Sequence, residues 1–182
     1  MASSGYLELI IGPMFSGKTS KLIQIYNELK ASSKSVSIIN HSFDKRYHET
    51  MLSTHDKIMV PCLQSKTLGE LWYSNILKTS DYILINEGQF FEDIYNIVIS
   101  MLKCGKRIYI CGLNGDFERK KFGCILDLIP LCDTVTKLNS ICFLCKEKKT
   151  PAIFSKRLTS ERDQTIIGCD NYIAVCRLCY DS

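Results

Sequence analysis

No run of apolar residues in the chain approaches the roughly 18 needed to cross a bilayer, and the first residues contain neither an apolar leader core nor a small-residue cleavage site. A membrane span and a secretory route are therefore not expected, and the chain reads as cytoplasmic. Internal repeats and low-complexity segments are also lacking. So are large blocks of one charge. The net charge is +4, with Lys and Arg scattered except at Arg119-Lys120-Lys121 and in the short stretch from Lys146 to Lys149. Such a distribution offers little to a nucleic acid and suits attraction of a polyphosphate.

What is there is ordinary for a globular protein. Hydrophobic residues make up 46% and charged residues 23% of 182, and a chain of that size buries roughly 70% of its unfolded surface. One compact core with a small appendage is expected. Ten cysteines would mean disulfides in a secreted chain, but inside a cell paired cysteines point to metal ligation. Two pairs stand out, Cys142 with Cys145 and Cys176 with Cys179. The others (Cys62, Cys104, Cys111, Cys124, Cys132 and Cys169) stand singly, mostly in apolar stretches, and read as small buried hydrophobes.

Residues 6–11 form a short apolar run ending at Gly12, and residues 18–30 carry Leu22, Ile23, Ile25, Tyr26 and Leu29 at helical spacing. That is strand, tight loop, helix. Residues 36–40, 82–85 and 107–113 predict further strands, and residues 91–102 and 123–131 predict helices. Strands alternating with helices give an α/β fold, a mostly parallel sheet with helices on both faces. From about Leu138 the pattern changes to a polar tail bounded by the cysteine pairs, with too few apolar residues for a core of its own. The chain therefore divides into residues 1–138, an α/β nucleotide-binding domain, and residues 139–182, a metal-clipped tail.

Gly12-Pro13-Met14-Phe15-Ser16-Gly17-Lys18-Thr19 matches G-x-x-x-x-G-K-[ST] between an apolar strand and an amphipathic helix, where a phosphate-binding loop must lie. The glycines let backbone N–H groups curl around phosphates, Lys18 reaches the β and γ phosphates, and the Thr19 hydroxyl serves Mg²⁺. A chance glycine turn would not require that context. A loop of this kind specifies a nucleotide and leaves the reaction open. The buried-type strand 82–85 delivers Asn86 and Glu87 to its carboxyl end, where ligands of parallel sheets bind. Asn86 stands where a metal-holding Asp is usual, and Glu87 can take a proton from an attacking hydroxyl.

The two C-x-x-C knuckles enclose residues 146–175, a longer interval than the common spacing of about 15 to 20 residues but a workable zinc frame. Four thiolates saturate a tetrahedral Zn²⁺ and leave no place for water, so the metal would be structural. Paired buried thiols or a redox dithiol are the alternatives.

With these features, the sequence resembles the type II thymidine kinases, the family of the vertebrate cytosolic enzyme and its counterparts in large DNA viruses. The resemblance rests on GPMFSGKT at 12–19, FDKRY at 43–47, THDK at 54–57, EGQFF at 87–91, GDFERKKFGCILDLIP at 115–130, FSKRL at 154–158, IIG at 166–168 and VCRLCY at 175–180. It implies a P-loop NTPase-like core with a small zinc-bound lasso lobe, whose lasso loop, residues 154–172, folds over a nucleoside. It also implies ATP and thymidine as substrates, Mg²⁺ with the ATP, no stable nucleic-acid partner and a homotetramer. By the same resemblance Glu87 is the catalytic base, and Asp44 joins Thr19 and Asn86 near the metal. Phe117 lies beside the base, and Gln164, Thr165, Ile166, Ile167 and Gly168 form the strand whose backbone meets the pyrimidine. Met14, Phe90, Leu113, Phe122 and Tyr172 line the pocket.

Arg119 has two readings, a contact to the transferring phosphate or a solvated basic loop. Three departures from the family pattern carry expectations. Asn86 replaces an Asp, keeping an acceptor oxygen but losing a charge, so weaker Mg²⁺ binding is expected. Gly168-Cys169 replaces Gly-Gly with one residue fewer before Tyr172, and Asn114-Gly115-Asp116-Phe117 replaces Asp-Gly-Thr-Phe. The first bears on the pocket wall and the second on the breadth of substrates accepted.

Overall fold

Along the first strand, Leu7, Leu9 and Ile11 turn to one side while Ile10 turns to the other, and all four are buried. A strand apolar on both sides belongs in the middle of a sheet covered on both faces. The computed structural model describes residues 4–43, 51–53, 58–145, 149–165 and 171–182. In chain order the first half comprises β1 (Tyr6–Ile11), α1 (Lys18–Ala31), β2 (Val36–His41), β3 (Met51–Ser53), β4 (Met59–Pro61), β5 (Leu63–Ser65) and α2 (Leu68–Tyr73). Then come β6 (Tyr82–Ile85), α3 (Ile94–Lys103), β7 (Arg107–Gly112) and β8 (Thr134–Lys137). The tail adds β9 (Ser140–Ile141), β10 (Pro151–Ala152), β11 (Phe154–Arg157), β12 (Tyr172–Val175) and α4 (Arg177–Asp181).

The central sheet has six strands in the order β5-β2-β6-β7-β1-β8, all parallel. On one face Leu7, Leu9, Ile83, Ile85, Ile108 and Ile110 pack against Leu68 and Leu71 of α2 and Ile94, Ile97, Val98 and Met101 of α3. On the other, Ile10, Ile38, Leu84 and Cys111 meet Leu22, Ile23 and Ile25 of α1, with Leu52 of β3 and Val60 of β4 closing the edge. Each such side chain withdrawn from water contributes about 1.5–3 kcal/mol before entropy is counted. The expected α/β sheet with helices on both faces is therefore present. Among the described residues no helix is long and apolar enough to cross a membrane.

Boundaries differ from the sequence reading in ways with local causes. The expected helix at 91–102 begins at Ile94, because Gly88–Phe90 winds as a separate 3₁₀ turn and Phe91 is extended. The expected helix at 123–131 is a 3₁₀ segment, Ile125–Leu131, and Pro130 within it cannot donate to an α-helical ladder. In the tail β9, β10, β11, β12 and α4 were not foreseen, and before it five more elements were not: α2, the short edge strands β5 and β8, and the antiparallel pair β3 and β4. These five are three to six residues long; the strands among them lack the apolar run that marks β1, β6 and β7, and α2 is under two helical turns.

The tail is not coreless. β9 pairs with β10 and β11 with β12, enclosing a cluster of Cys142, Ala152, Ala174, Val175 and Cys176 flanked by Phe154, Ile173 and Tyr180. The knuckle cysteines supply part of the apolar content that the tail otherwise lacks. The single cysteines also divide: Cys111 is buried, Cys62, Cys124 and Cys132 are half-buried, and Cys104 is exposed. Cys169 lies outside the described residues.

Candidate active site at the carboxyl edge of the sheet

Because the six strands run parallel, the residues that follow β1, β2, β6 and β7 emerge along one edge. Gly17 precedes α1 at φ 80°, the left-handed region that glycine enters without a Cβ penalty, and its side supplies no cap to the first turn. The first-turn N–H groups of a helix left in that state form an anion cradle. The Lys18 ammonium spans the loop to the Pro13 carbonyl at 2.6 Å, and Ser16 Oγ donates to the same oxygen at 2.8 Å. The tail braces this loop from outside. Ser155 Oγ accepts the Met14 N–H at 2.9 Å, and Ser140 Oγ donates to the Phe15 carbonyl at 3.0 Å.

Asn86 follows β6 and is 1% exposed. Its Oδ1 accepts from Thr19 Oγ1 at 3.3 Å and from Cys111 Sγ at 3.0 Å, and its Nδ2 donates to Asn40 Oδ1 at 2.8 Å. The sheet order places β7 between β1 and β6, which is how Cys111 comes to share the oxygen with Thr19. Glu87 follows in the left-handed region at φ 53°, an uncommon conformation for a residue with a side chain and one that concentrates at functional sites. Gln89 Nε2 donates to Glu87 Oε2 at 2.6 Å, and Gln89 Oε1 accepts the Leu113 N–H at 2.9 Å.

His41 closes β2. Its Nε2 bonds the Lys66 carbonyl at 3.1 Å and its Nδ1 accepts the Phe43 N–H at 3.1 Å, an arrangement that specifies the neutral tautomer protonated on Nε2. Burial pushes its pKa below the usual value, against the Lys66 bond and the charges of Glu87 and Asp93. The ring lies 5.6 Å from Phe90, which meets Phe122 edge-on at 5.5 Å.

A second group gathers around a buried guanidinium. Arg157 lies over the Phe117 ring, its central carbon 3.6 Å from the centroid. It donates from Nε to the Tyr172 hydroxyl at 3.2 Å, from Nη1 to the Glu161 carbonyl at 2.8 Å, and from Nη2 to the Gln164 carbonyl at 3.2 Å. Gln164 Nε2 reaches back to Asp116 Oδ2 at 2.7 Å, while Asp116 Oδ1 accepts the N–H groups of Glu118 and Lys120. Phe117, Tyr172 and Gln164 thus meet through Arg157 and Asp116. Thr165 is exposed beside them. Asp44, Ile166, Ile167 and Gly168 lie outside the described residues, as do 54–57 and most of 43–47.

Arg119 is exposed in its basic loop, as the second of its two readings has it, and it also has partners there. It pairs with Asp181 at 2.8 Å and lies over Tyr180, 4.2 Å from the ring centroid, while the Tyr180 hydroxyl donates to the Phe117 carbonyl. The residue fastens the loop after β7 to the end of the tail.

The knuckle sulfurs of Cys142, Cys145, Cys176 and Cys179 all lie within 4.8 Å of one another. Cys145 Sγ is 3.3 Å from that of Cys179 and 4.0 Å from that of Cys176. A tetrahedron with Zn–S arms of about 2.3 Å has edges of about 3.8 Å, so the set fits such an ion. Burial opposes ionisation of Cys142, but N–H groups of Cys176, Cys145 and Leu144 outweigh it and bring the thiol down to about 6. Bonds to Cys145 and Cys176 push Cys179 up to about 12. These four cysteines could hold a metal ion such as zinc.

The family model for thymidine kinase matches residues 5–180. This chain belongs to the thymidine kinase family. It is 39% identical over 178 residues to the thymidine kinase of Yaba monkey tumor virus, covering 97% of this chain and 95% of that protein. It is 40% identical over 184 residues to the fowlpox virus thymidine kinase, covering 99% of each. It is 37% identical over 177 residues to the cytosolic thymidine kinase of Gallus gallus, covering 97% of this chain and 77% of that protein.

Within this family chain, sequence reasoning passed over Asn40, His41, Gln89 and Arg157, and it noted Asp116 only as a departure from the family pattern. Gln89 sits inside the EGQFF segment but was given no separate role. Arg157 shares the buried face of β11 with Ser155, and an inward arginine in a short strand is a signal that a period-2 reading can find. For Asn40 and His41 no comparable signal exists, because each occupies an ordinary strand end.

Proposed function

We propose that the chain transfers the γ-phosphoryl of ATP to the 5′-hydroxyl of thymidine, giving thymidine monophosphate and ADP. The 5′-oxygen attacks the γ-phosphorus, the bond to the β–γ bridging oxygen breaks, and Glu87 takes the hydroxyl proton. Residues 12–19 cradle the phosphates with loop amides and Lys18. Mg²⁺, when bound, neutralises phosphate charge, and Thr19, Asn86 and Asp44 are the residues that would hold its shell. Zn²⁺ on Cys142, Cys145, Cys176 and Cys179 would be structural.

The nucleoside would lie among Met14, Phe90, Leu113, Phe117, Phe122 and Tyr172, with the lasso residues 164–168 across its pyrimidine edge. In this reading residues 1–138 form the nucleotide domain and 139–182 the lasso lobe. The protein works in the cytoplasm as a homotetramer, without a stable nucleic-acid partner.

The observation that carries the proposal is the contact of Thr19, from the phosphate loop, with Asn86, directly before Glu87. It supports the reading because residues 12–19 and Glu87, proposed for the nucleotide and for the proton, then lie at one sheet edge. The test is purified protein with thymidine, ATP and Mg²⁺, with and without single-stranded DNA. Thymidine-dependent ADP formation that ignores DNA is expected. ATP hydrolysis that needs DNA and ignores thymidine would overturn the reading.

A further inference from the structure

Gln89 is 3% exposed, and its amide bridges two groups that lie at the ends of different strands. Leu113 N–H can only be accepted by Oε1, so the NH₂ must face Glu87, and its orientation is decided by chemistry and not by assignment alone. Neighbouring residues are cut back to make room for it. A Cβ on Gly112 would stand 2.5 Å from Gln89 Oε1, and one on Gly123 would stand 2.0 Å from the Gln89 carbonyl oxygen. The Glu87 side chain, by contrast, is half-exposed on a left-handed turn.

We propose that Gln89 is a positioning residue for the transfer reaction, holding the Glu87 carboxylate at a set distance from the backbone that follows β7. This rests on the reading of Glu87 as the base. A carboxylate on a flexible stem samples many directions, and a proton acceptor is effective only when held within reach of its donor. Gln89 is locked by burial and by Leu113, so it lends that rigidity to Glu87 through a charge-assisted bond. It touches neither substrate in this scheme and acts through Glu87.

Two variants separate this role from a purely structural one. Gln89→Met removes both polar ends at similar length, while Gln89→Glu keeps an acceptor for Leu113 N–H and removes the donor to Glu87. Each is made in the parent and in Glu87→Gln, and steady-state rates are measured with thymidine and MgATP. In the parent, both should lower kcat about 10- to 100-fold, the usual weight of a hydrogen bond to a charged group, with each KM within about twofold. In the Glu87→Gln background neither should change the residual rate by more than about twofold.

Equal fractional losses in both backgrounds would overturn the proposal, since Gln89 would then act on the frame. So would a rise in the thymidine KM with kcat intact. A slow Glu87→Gln enzyme beside Gln89 variants of full kcat would overturn the positioning role alone. A Glu87→Gln enzyme of full kcat would remove the base assignment and the proposal with it.

Discussion

The side-chain amide of Asn86 donates to Asn40 Oδ1 at 2.8 Å, with Asn86 1% and Asn40 2% exposed. At the place where the family pattern has a carboxylate, this chain has a neutral pair whose amide end is committed. The prediction for Asn86→Asp therefore has two parts of opposite sign. A carboxylate beside Thr19 should lower the Mg²⁺ concentration for half-maximal activity, because hard cations favour charged oxygen. Without Mg²⁺ it should lower stability by about 1–3 kcal/mol, since one carboxylate oxygen then faces Asn40 Oδ1 in a buried setting. Mg²⁺ titrations of rate, paired with thermal unfolding in chelator, read both. Identical Mg²⁺ curves would put residue 86 outside the metal's shell.

His41 predicts a pH dependence of stability. Burial holds its pKa below the ordinary 6.5 against the opposing Lys66 bond and the charges of Glu87 and Asp93. The unfolded chain then takes up a proton before the folded one does. This contribution is complete above about pH 6.5 and is lost as pH falls through the folded-state value. Urea midpoints from pH 8 to pH 5.5 should decline for the parent more than for His41→Gln, which offers an amide donor and acceptor but does not titrate. Parallel declines would exclude His41 as the source.

Arg157→Lys keeps the charge and loses the planar fork. Three backbone and hydroxyl acceptors, on Glu161, Gln164 and Tyr172, would lose donors, and the stack on Phe117 would go. The thymidine KM should rise roughly 10- to 100-fold, while the ATP KM moves little. Comparable changes in both would show that Arg157 supports the whole molecule and not the nucleoside side of it.

With zinc on the four cysteines, as proposed, chelation or Cys145→Ser should abolish thymidine binding, because the ion would supply folding energy to a lobe whose apolar cluster is small. ATP binding should persist but weaken by roughly 2- to 10-fold. The tail holds the phosphate loop through Ser155 to Met14 and Ser140 to Phe15, each worth about 0.5–1.5 kcal/mol. Calorimetry with each ligand checks this. Unchanged thymidine affinity would mean that the clip does not order the pocket.

Local rules were enough for much of this protein. A glycine loop between an apolar strand and an amphipathic helix, an apolar strand ending in Asn86-Glu87, and two cysteine pairs at metal spacing depend on residues close in the chain. Periodicity and motif spacing report such features directly. β5, β8 and α2 were not legible, since β5 and β8 lack the apolar run that marks β1, β6 and β7, and α2 is under two helical turns long. Tertiary structure alone decided which side chains meet. β7 lies between β1 and β6, so Thr19, Cys111 and Asn86 share one oxygen although 67 positions separate the first from the last. Arg157 finds Phe117, and Gln89 finds Leu113, only after strands distant in sequence are packed side by side. Those pairings decide where the Glu87 carboxylate and the Phe117 ring are held, because a buried polar group must take its partner from whatever the fold brings within about 3 Å.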